Sequence, residues 1–375
     1  MASQSRTGGP TSSTPPFSTL EDEIEDEDEY ADIFAHIRAT DEARARAGDL
    51  PGLWMTASNT ISHLSSRFVT EPHVDFSGGW TLQLQNLWHL YFVAGKHASS
   101  EDMLAPLVLQ LIETAQRGLL ARNQIGRDGT VEIEHAPIVV QVGDHAIQQY
   151  IWQDLPLFVP DMTAYWIQDC ARMSRSQRVR ISFFWGSLAA ASSAPWSYGL
   201  CRIALVVLRD TLETQRRLVR AGVEPGGEES ENPDRTVEML TMADLLLAVN
   251  AWLMRAGGRI VQLCEAGDGG VAASLAIPVP EEVGQLGPLA RAAGVRPVAG
   301  GFSTQRWFYW LGRLDEIGAE STPPRPGIMA SPFVQRAREQ KEVARQVARN
   351  MIYVASQSNS TIAQELMRIG RLPLL

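Results

Sequence analysis

The sequence MADLLLAVNAWLM, at residues 242–254, decides the fold of this chain. Apolar residues cover almost the whole circumference of the helix that it predicts, interrupted by Asp244 and Asn250. A helix that is apolar on all sides is stable in water only when other elements cover every face. The stretch therefore predicts the central part of a helix, at residues 236–264, inside a large helical domain. It is shorter than the roughly 20 apolar residues that cross a bilayer, so we expect no transmembrane span.

Helical periodicity continues on both sides of this stretch. One face of residues 53–68, for example, carries apolar side chains at helical spacing: Leu53, Ala57, Ile61, Leu64 and Phe68. Similar patterns predict further helices at residues 30–46, 80–97, 102–122, 161–172, 176–191, 198–221, 281–293, 304–317 and 331–355. We therefore predict an all-α fold with one large multi-helix domain at residues 30–320.

The segment at residues 126–160 has a different pattern. Val131 and Ile133 alternate with acidic residues, and an apolar run follows at residues 138–142. Branched apolar residues bounded by Gly and Pro are typical of short strands. Short apolar runs also occur in ordered loops. The segment thus predicts either a small β-hairpin around residues 130–142 or an ordered loop.

The two ends of the chain differ from the middle. Residues 1–20 are rich in Ser, Thr, Pro and Gly, and residues 21–29 contain eight acidic residues. Such a segment buries too little apolar surface to offset the entropy lost on folding. We therefore predict a disordered acidic tail at residues 1–29. At the other end we predict a proline-rich spacer and a C-terminal helical extension, at residues 321–375.

The charge of the chain limits its partners. The formal net charge is −10, and most of it lies in the acidic tail. Nucleic acids and anionic membrane surfaces are polyanions that attract basic proteins. We therefore expect neither nucleic acid nor a membrane as the partner.

The cysteines indicate a reducing compartment. Cys170, Cys201 and Cys264 are far apart, odd in number and without a C-x-x-C pair, which predicts free, buried thiols. The first thirty residues contain no apolar segment of the kind found in a signal peptide. The sequence therefore predicts an intracellular protein of the cytoplasm or nucleus.

Three segments carry a resemblance. They are residues 151–156 (IWQDLP), residues 244–256 (DLLLAVNAWLMRA) and residues 301–314 (GFSTQRWFYWLGRL). Together they resemble a family of largely helical fungal proteins that carry a domain of unknown function. The resemblance would cover roughly residues 30–365, and it implies a fungal source and a helical fold. It implies no activity.

Polar titratable groups are concentrated in the middle segment. His135, Asp144, His145 and Asp154 lie on backbone that is not predicted to be helical, where they could supply a general acid and a general base. Loops carry function more often than packed helices do, although such groups also occur in solvated loops. These four residues are the candidate catalytic residues.

The sequence predicts neither a metal site nor a cofactor. The histidines form no H-E-x-x-H pattern, which would place two ligands on one helical face. The chain also contains no Walker A sequence and no G-x-S-x-G nucleophile motif.

Ten tryptophans in one chain could line a ligand pocket or fill a core. A pocket near residues 130–170 would draw on residues close to the middle segment and on the aromatic motif at residues 301–314. The candidate ligand-binding residues are Trp152, Trp166, Trp252, Arg306, Trp307 and Trp310.

The last long predicted helix has a basic face. Arg336, Arg338, Lys341, Arg345 and Arg349 could meet the acidic tail of the same chain or of another copy, or they could remain solvated. With no recognisable chemistry, we favour a non-enzymatic accessory protein that binds a protein partner or forms a homo-oligomer. The alternative is a small-molecule-binding protein or an enzyme.

Overall fold

The described residues form twelve α-helices and four short strands. The computed structural model describes residues 27–70, 79–125, 131–135, 137–142, 145–220, 230–267, 283–298, 301–319, 332–358 and 360–372. The helices are α1 (Glu27–Arg46), α2 (Leu50–Thr70), α3 (Gly79–His97), α4 (Ala105–Gln116), α5 (Phe158–Asp169), α6 (Arg175–Ala191), α7 (Pro195–Leu208), α8 (Met242–Ala266), α9 (Pro288–Ala292), α10 (Thr304–Ala319), α11 (Pro332–Ser356) and α12 (Thr361–Arg368). The predicted all-α fold is confirmed.

Helix α8 is the centre of the domain, as the opening stretch predicts. It packs against α6, α7, α10 and α11, so apolar side chains on most of its surface are covered. Its first turn is fixed by Asp244, whose carboxylate accepts hydrogen bonds from the backbone N–H and the hydroxyl of Thr241, both at 2.7 Å. This reciprocal N-terminal cap sets where the helix begins.

The middle segment forms two antiparallel hairpins. Strands β1 (Arg122–Ile125) and β2 (Val131–Glu134) form one, and β3 (Ile138–Val142) and β4 (His145–Gln149) form the other. The predicted strands are therefore present, and each pairs with a further strand outside the predicted hairpin. Because β1 begins at Arg122, helix α4 is shorter than the helix predicted at residues 102–122. Gly118, with φ at +67°, adopts the left-handed conformation that often follows a helix end.

The prediction of a continuous helix at residues 198–221 is wrong. Helix α7 ends at Leu208 and continues only through one wider π-helical turn, Arg209–Glu213. A π turn shifts the side chains that follow it around the helix axis. Here it accompanies the complete burial of Glu213, which binds Arg306.

The ends of the described chain refine the predicted boundaries. Helix α1 begins at Glu27, inside the predicted tail of residues 1–29, whose remainder lies outside the described residues. Most of the predicted proline-rich spacer, up to residue 331, also lies outside them. Buried residues of α11 and α12 belong to the same core as those of α8. No helix in the described ranges is long and apolar enough to cross a bilayer.

All three cysteines are free and buried. Burial raises the pKa of Cys170 and of Cys201 to about 12, and it raises that of Cys264 as well. Such thiols stay protonated at neutral pH and are therefore poor nucleophiles.

Candidate functional site

The candidate tryptophans lie in the core. Each of the five is at most 1% exposed: Trp152, Trp166, Trp252, Trp307 and Trp310. Trp166 makes an edge contact with the ring of Trp185 at 6.0 Å between centroids, as is common for packed aromatic pairs. Their position supports a packing role.

Arg306 is also fully buried, and Glu213 neutralises it. Its Nε lies 2.5 Å from Glu213 Oε1 and its Nη2 lies 3.0 Å from Oε2, so the two groups form a two-point ion pair. Trp310 Nε1 donates to the same carboxylate at 2.6 Å, and the backbone N–H of Gly287 donates at 2.7 Å. The carboxylate therefore has four donors. The cluster links the π turn, the residue before α9 and helix α10.

The structure describes the side chains of two of the four candidate catalytic residues, His135 and Asp154. His135 is exposed between the two hairpins. Asp154 accepts a hydrogen bond at 2.7 Å from the backbone N–H of Tyr150 and so fixes the turn that precedes α5. Asp144 and the side chain of His145 lie outside the described residues.

The turn at residues 151–157 is strained and tightly held. Leu155 and Leu157 have positive φ angles of 46° and 64°, which side chains larger than hydrogen rarely adopt. The indole of Trp152 donates to Ser65 Oγ at 2.8 Å, and the indole of Trp88 donates to the carbonyl of Pro156 at 2.7 Å. These bonds tie the turn to α2 and α3.

A cleft of about 740 Å³ lies elsewhere, where α6, α8 and α11 meet. Its walls come from the start of α6, the first turns of α8 and α11, the residues that follow α3, and the chain between α7 and α8. Its apolar lining residues are Val179, Val219, Ala243 and Leu247. We call it the arginine-lined cleft.

Arginine dominates the charge of this cleft. Five arginines line it against three acidic residues: Arg175, Arg180, Arg220, Arg235 and Arg336 against Glu101, Asp244 and Glu339. Most of the eight already have partners in the fold. Arg180 donates to the carbonyl of Ala98, Arg220 donates to the carbonyl of Met239, and Glu101 pairs with Arg255. Arg235 donates to the carbonyls of Ala171 and Met173, and Asp244 caps α8. The surplus of guanidinium groups makes the cleft suitable for an anionic group.

Arg175 and Asp244 face each other across the start of α6 and α8. Arg175 Nη2 lies 3.3 Å from Asp244 Oδ1, while Asp244 Oδ2 binds Thr241. Because the cap holds Asp244 in place, this carboxylate also fixes one end of the Arg175 guanidinium. Arg175 keeps 25% of its side chain exposed.

A network of charges adjoins the cleft. Glu42 Oε1 binds Lys96 Nζ at 3.2 Å, His97 Nε2 at 2.8 Å and Arg46 Nη2 at 2.9 Å, and Arg46 also pairs with Glu231. The possible ligand atoms of Glu42, His97 and Glu231 lie within 4.8 Å of one another, as a metal site would require. Lys96 and Arg46 already supply the positive charge there, so an ion-pair network is the better description.

This network makes a testable contribution to stability. Burial by itself raises the pKa of Glu42, but the hydrogen bond from His97 and the charges of Lys96 and His97 outweigh it and bring the pKa to about 2, from 4.5. A lowered pKa stabilises the fold above about pH 4.5, and this contribution is lost as the pH falls towards 2. We expect Glu42→Gln to lower the melting temperature at neutral pH, with a deficit that shrinks on acidification. Melting curves of both proteins across that range measure it.

Glu113→Gln is the matched control, because Glu113 is exposed on α4. It should melt with the original protein at every pH. A Glu42→Gln deficit that stays constant across the acidic range would contradict the role given to the ion pairs.

Sequence reasoning missed the arginine-lined cleft because its residues are spread from Ser99 to Gln340. One signal pointed towards it, the basic face of the last long predicted helix. Of that face, Arg336 lines the cleft, whereas Arg345 and Arg349 both pair with Glu342 at 2.9 Å. The predicted contact with the acidic tail involves residues that the structure does not describe.

Comparison with known proteins gives a family and a relative. A sequence model of the family described as "Protein of unknown function (DUF3632)" matches residues 88–314. The chain is also 32% identical, over 243 residues, to "Oxopyrrolidines biosynthesis cluster protein G" of the fungus Penicillium oxalicum. That match covers 64% of this chain and 60% of the relative, so the chain spans less than two thirds of the relative's length. No solved structure matches the chain significantly.

The three segments behind the family resemblance, at residues 151–156, 244–256 and 301–314, all fall within the matched range. In the structure they form the strained turn before α5, the core of α8 and the start of α10 with its buried arginine. The match covers more than half of the chain, and it confirms the resemblance. This chain therefore belongs to the family described as "Protein of unknown function (DUF3632)".

Proposed function

We propose that this protein is a non-enzymatic accessory protein that binds a small molecule in the arginine-lined cleft. The observation that carries the proposal is the cleft itself. Its volume of about 740 Å³ falls within the range of roughly 300–1,000 Å³ that is typical of small-molecule sites. Its lining combines four apolar residues with a larger number of polar and charged side chains, which suits a polar ligand.

The lining favours binding over catalysis. The described residues around the cleft include no His and no Cys, which are the usual proton carriers and nucleophiles. Asp244, which is 4% exposed, is held by Thr241 and Arg175. Both oxygens of this carboxylate are therefore already engaged, Oδ2 by Thr241 and Oδ1 by Arg175.

The relative supports a small molecule as the ligand. Its name places the Penicillium oxalicum protein in a cluster for the biosynthesis of oxopyrrolidines, which are small organic molecules. We propose by extension that this chain also serves the metabolism of a small molecule.

Filling the cleft tests this proposal. Val179 lies on α6, is partly buried and lines the cleft, so Val179→Trp would place an indole in the space for a ligand. Native mass spectrometry of the protein purified gently from its own cells should show a small adduct that is lost on denaturation. We expect Val179→Trp to remove this adduct while circular dichroism shows an unchanged helical content.

Ile167→Trp is the matched control, because Ile167 is 54% exposed on α5 and does not line the cleft. This variant should keep the adduct. An adduct that survives in Val179→Trp as well would show that the ligand, if specific, binds somewhere else.

Protein binding is the second candidate function. Met254 on α8 and Tyr353 on α11 are 56% and 60% exposed, and the two helices pack against each other. Exposed apolar side chains on packed helices favour a protein partner or a second copy of the chain when they form a continuous patch. The same mass spectra decide between the two functions, because a stoichiometric companion protein or a defined homo-oligomer without an adduct would support this second one.

A further inference from the structure

Among the buried polar atoms of residues that line the arginine-lined cleft, Arg175 Nε, on α6, and Gln340 Oε1, on α11, have no hydrogen-bond partner in the described ranges. Gln340 is 9% exposed. Buried polar atoms in folded proteins are nearly always paired with protein, water or a ligand. One atom is a donor and the other an acceptor, and both belong to residues that line the cleft.

The missing hydrogen-bond partner of each atom indicates which group the ligand would supply. Arg175 Nε lacks an acceptor within the described part of the chain, and the Asp244 carboxylate contacts the guanidinium at Nη2, at 3.3 Å. A guanidinium presents paired N–H groups that match the two oxygens of a carboxylate. Gln340 Oε1 lacks a donor, which an amide N–H or a hydroxyl would provide.

We propose that the cleft takes a carboxylic acid that also carries an N–H or O–H donor. Its carboxylate accepts hydrogen bonds from Arg175, and its donor group binds Gln340 Oε1. Val179 and Leu247 contact an apolar part of the molecule. This inference rests on the proposed small-molecule function and adds the chemical class of the ligand.

The cleft carries charges of both signs. Glu101, Asp244 and Glu339 offset part of the positive charge of the five arginines, and Asp244 already shares Arg175. A lining with donors and acceptors suits a ligand that has both, such as a carboxylic acid with an N–H or O–H group.

Three probes that differ by one group test the proposal. N-acetyl-L-leucine carries a carboxylate and an N–H, N-acetyl-L-leucinamide lacks the carboxylate, and 4-methylpentanoate lacks the amide. Dissociation constants from ligand-observed NMR titrations of the full chain should be lowest for N-acetyl-L-leucine. We expect the other two to bind about tenfold more weakly, the factor that one lost polar interaction of modest strength produces.

Two variants connect each preference to its residue. Arg175→Gln should weaken N-acetyl-L-leucine about tenfold and leave N-acetyl-L-leucinamide unchanged. Gln340→Met should weaken N-acetyl-L-leucine to the level of 4-methylpentanoate and leave 4-methylpentanoate unchanged. Arg368→Gln is the control, because Arg368 keeps 72% of its side chain exposed on α12, and it should change none of the three affinities. Circular dichroism verifies that each variant is folded. If Arg175→Gln does not fold, Arg175→Lys replaces it, because lysine keeps the positive charge but lacks the paired N–H groups of the guanidinium.

Other outcomes would overturn the inference. Equal binding of N-acetyl-L-leucine and its amide would show that the carboxylate is not recognised, and tighter binding of inorganic phosphate would indicate a phosphate site. In both cases an adduct that Val179→Trp removes would leave the proposed function standing. Binding of no probe, together with the absence of an adduct, would refute both.

Discussion

Arg306→Met is expected to lower the free energy of unfolding by about 3–5 kcal/mol, the usual cost of removing one partner from a buried ion pair. Glu213 and Arg306 are both fully buried, and the guanidinium contacts both oxygens of the carboxylate. Without Arg306 the carboxylate keeps only neutral donors, from Trp310 and from the Gly287 backbone. Urea unfolding followed by circular dichroism at neutral pH gives the free energy.

The paired substitution separates charge from packing. Glu213→Gln combined with Arg306→Met leaves no net charge in the cluster, so the double variant should be more stable than Arg306→Met alone. Arg368→Met, at an exposed position of α12, should change stability by less than about 0.5 kcal/mol. A loss below about 1 kcal/mol in Arg306→Met, or a double variant less stable than the single one, would contradict the view that an unpaired buried charge is the cause.

Asp161→Asn is expected to stabilise the protein at neutral pH by about 2–4 kcal/mol, because it removes a charge that the fold disfavours. Burial raises the pKa of Asp161 to about 7 from 3.8, against the opposing charge of Arg38 and a hydrogen bond from Gln85. Its Oδ2 is buried and has no partner within the described part of the chain. The unfolded chain therefore releases this proton at a lower pH than the folded protein does.

The pH dependence gives the sign of this effect. As the pH rises from about 4 to about 7, the unfolded state ionises first and the free energy of unfolding contributed by Asp161 falls. Asn resembles the protonated carboxyl, so the advantage of Asp161→Asn should grow over this interval and level off above it. Urea unfolding at several pH values measures both. Asp234→Asn, at an exposed position, should show no such growth, and an Asp161→Asn variant no more stable than the original at neutral pH would refute the burial of an unfavourable charge.

The local sequence predicted helices correctly where apolar residues recur at helical spacing on one face. The face of residues 53–68 is buried as α2, and the apolar stretch at residues 242–254 is the centre of the domain as part of α8. The prediction of a helix beyond residue 208 failed because apolar periodicity does not indicate a π turn. Such a turn depends on the tertiary contacts of its side chains. Glu213 meets Arg306, which lies 93 residues further along the chain.

The sequence by itself determined the helical class, the central position of α8, the buried thiols and the family, because each depends on composition or on spacing within one segment. Only the tertiary structure decided the role of the charged residues. It placed Arg306 in an internal ion pair, and it brought Arg175, Asp244 and Gln340 from three helices to one cleft. The physical reason is that an arginine costs free energy or binds a ligand according to the groups around it, and those groups are supplied by distant parts of the chain.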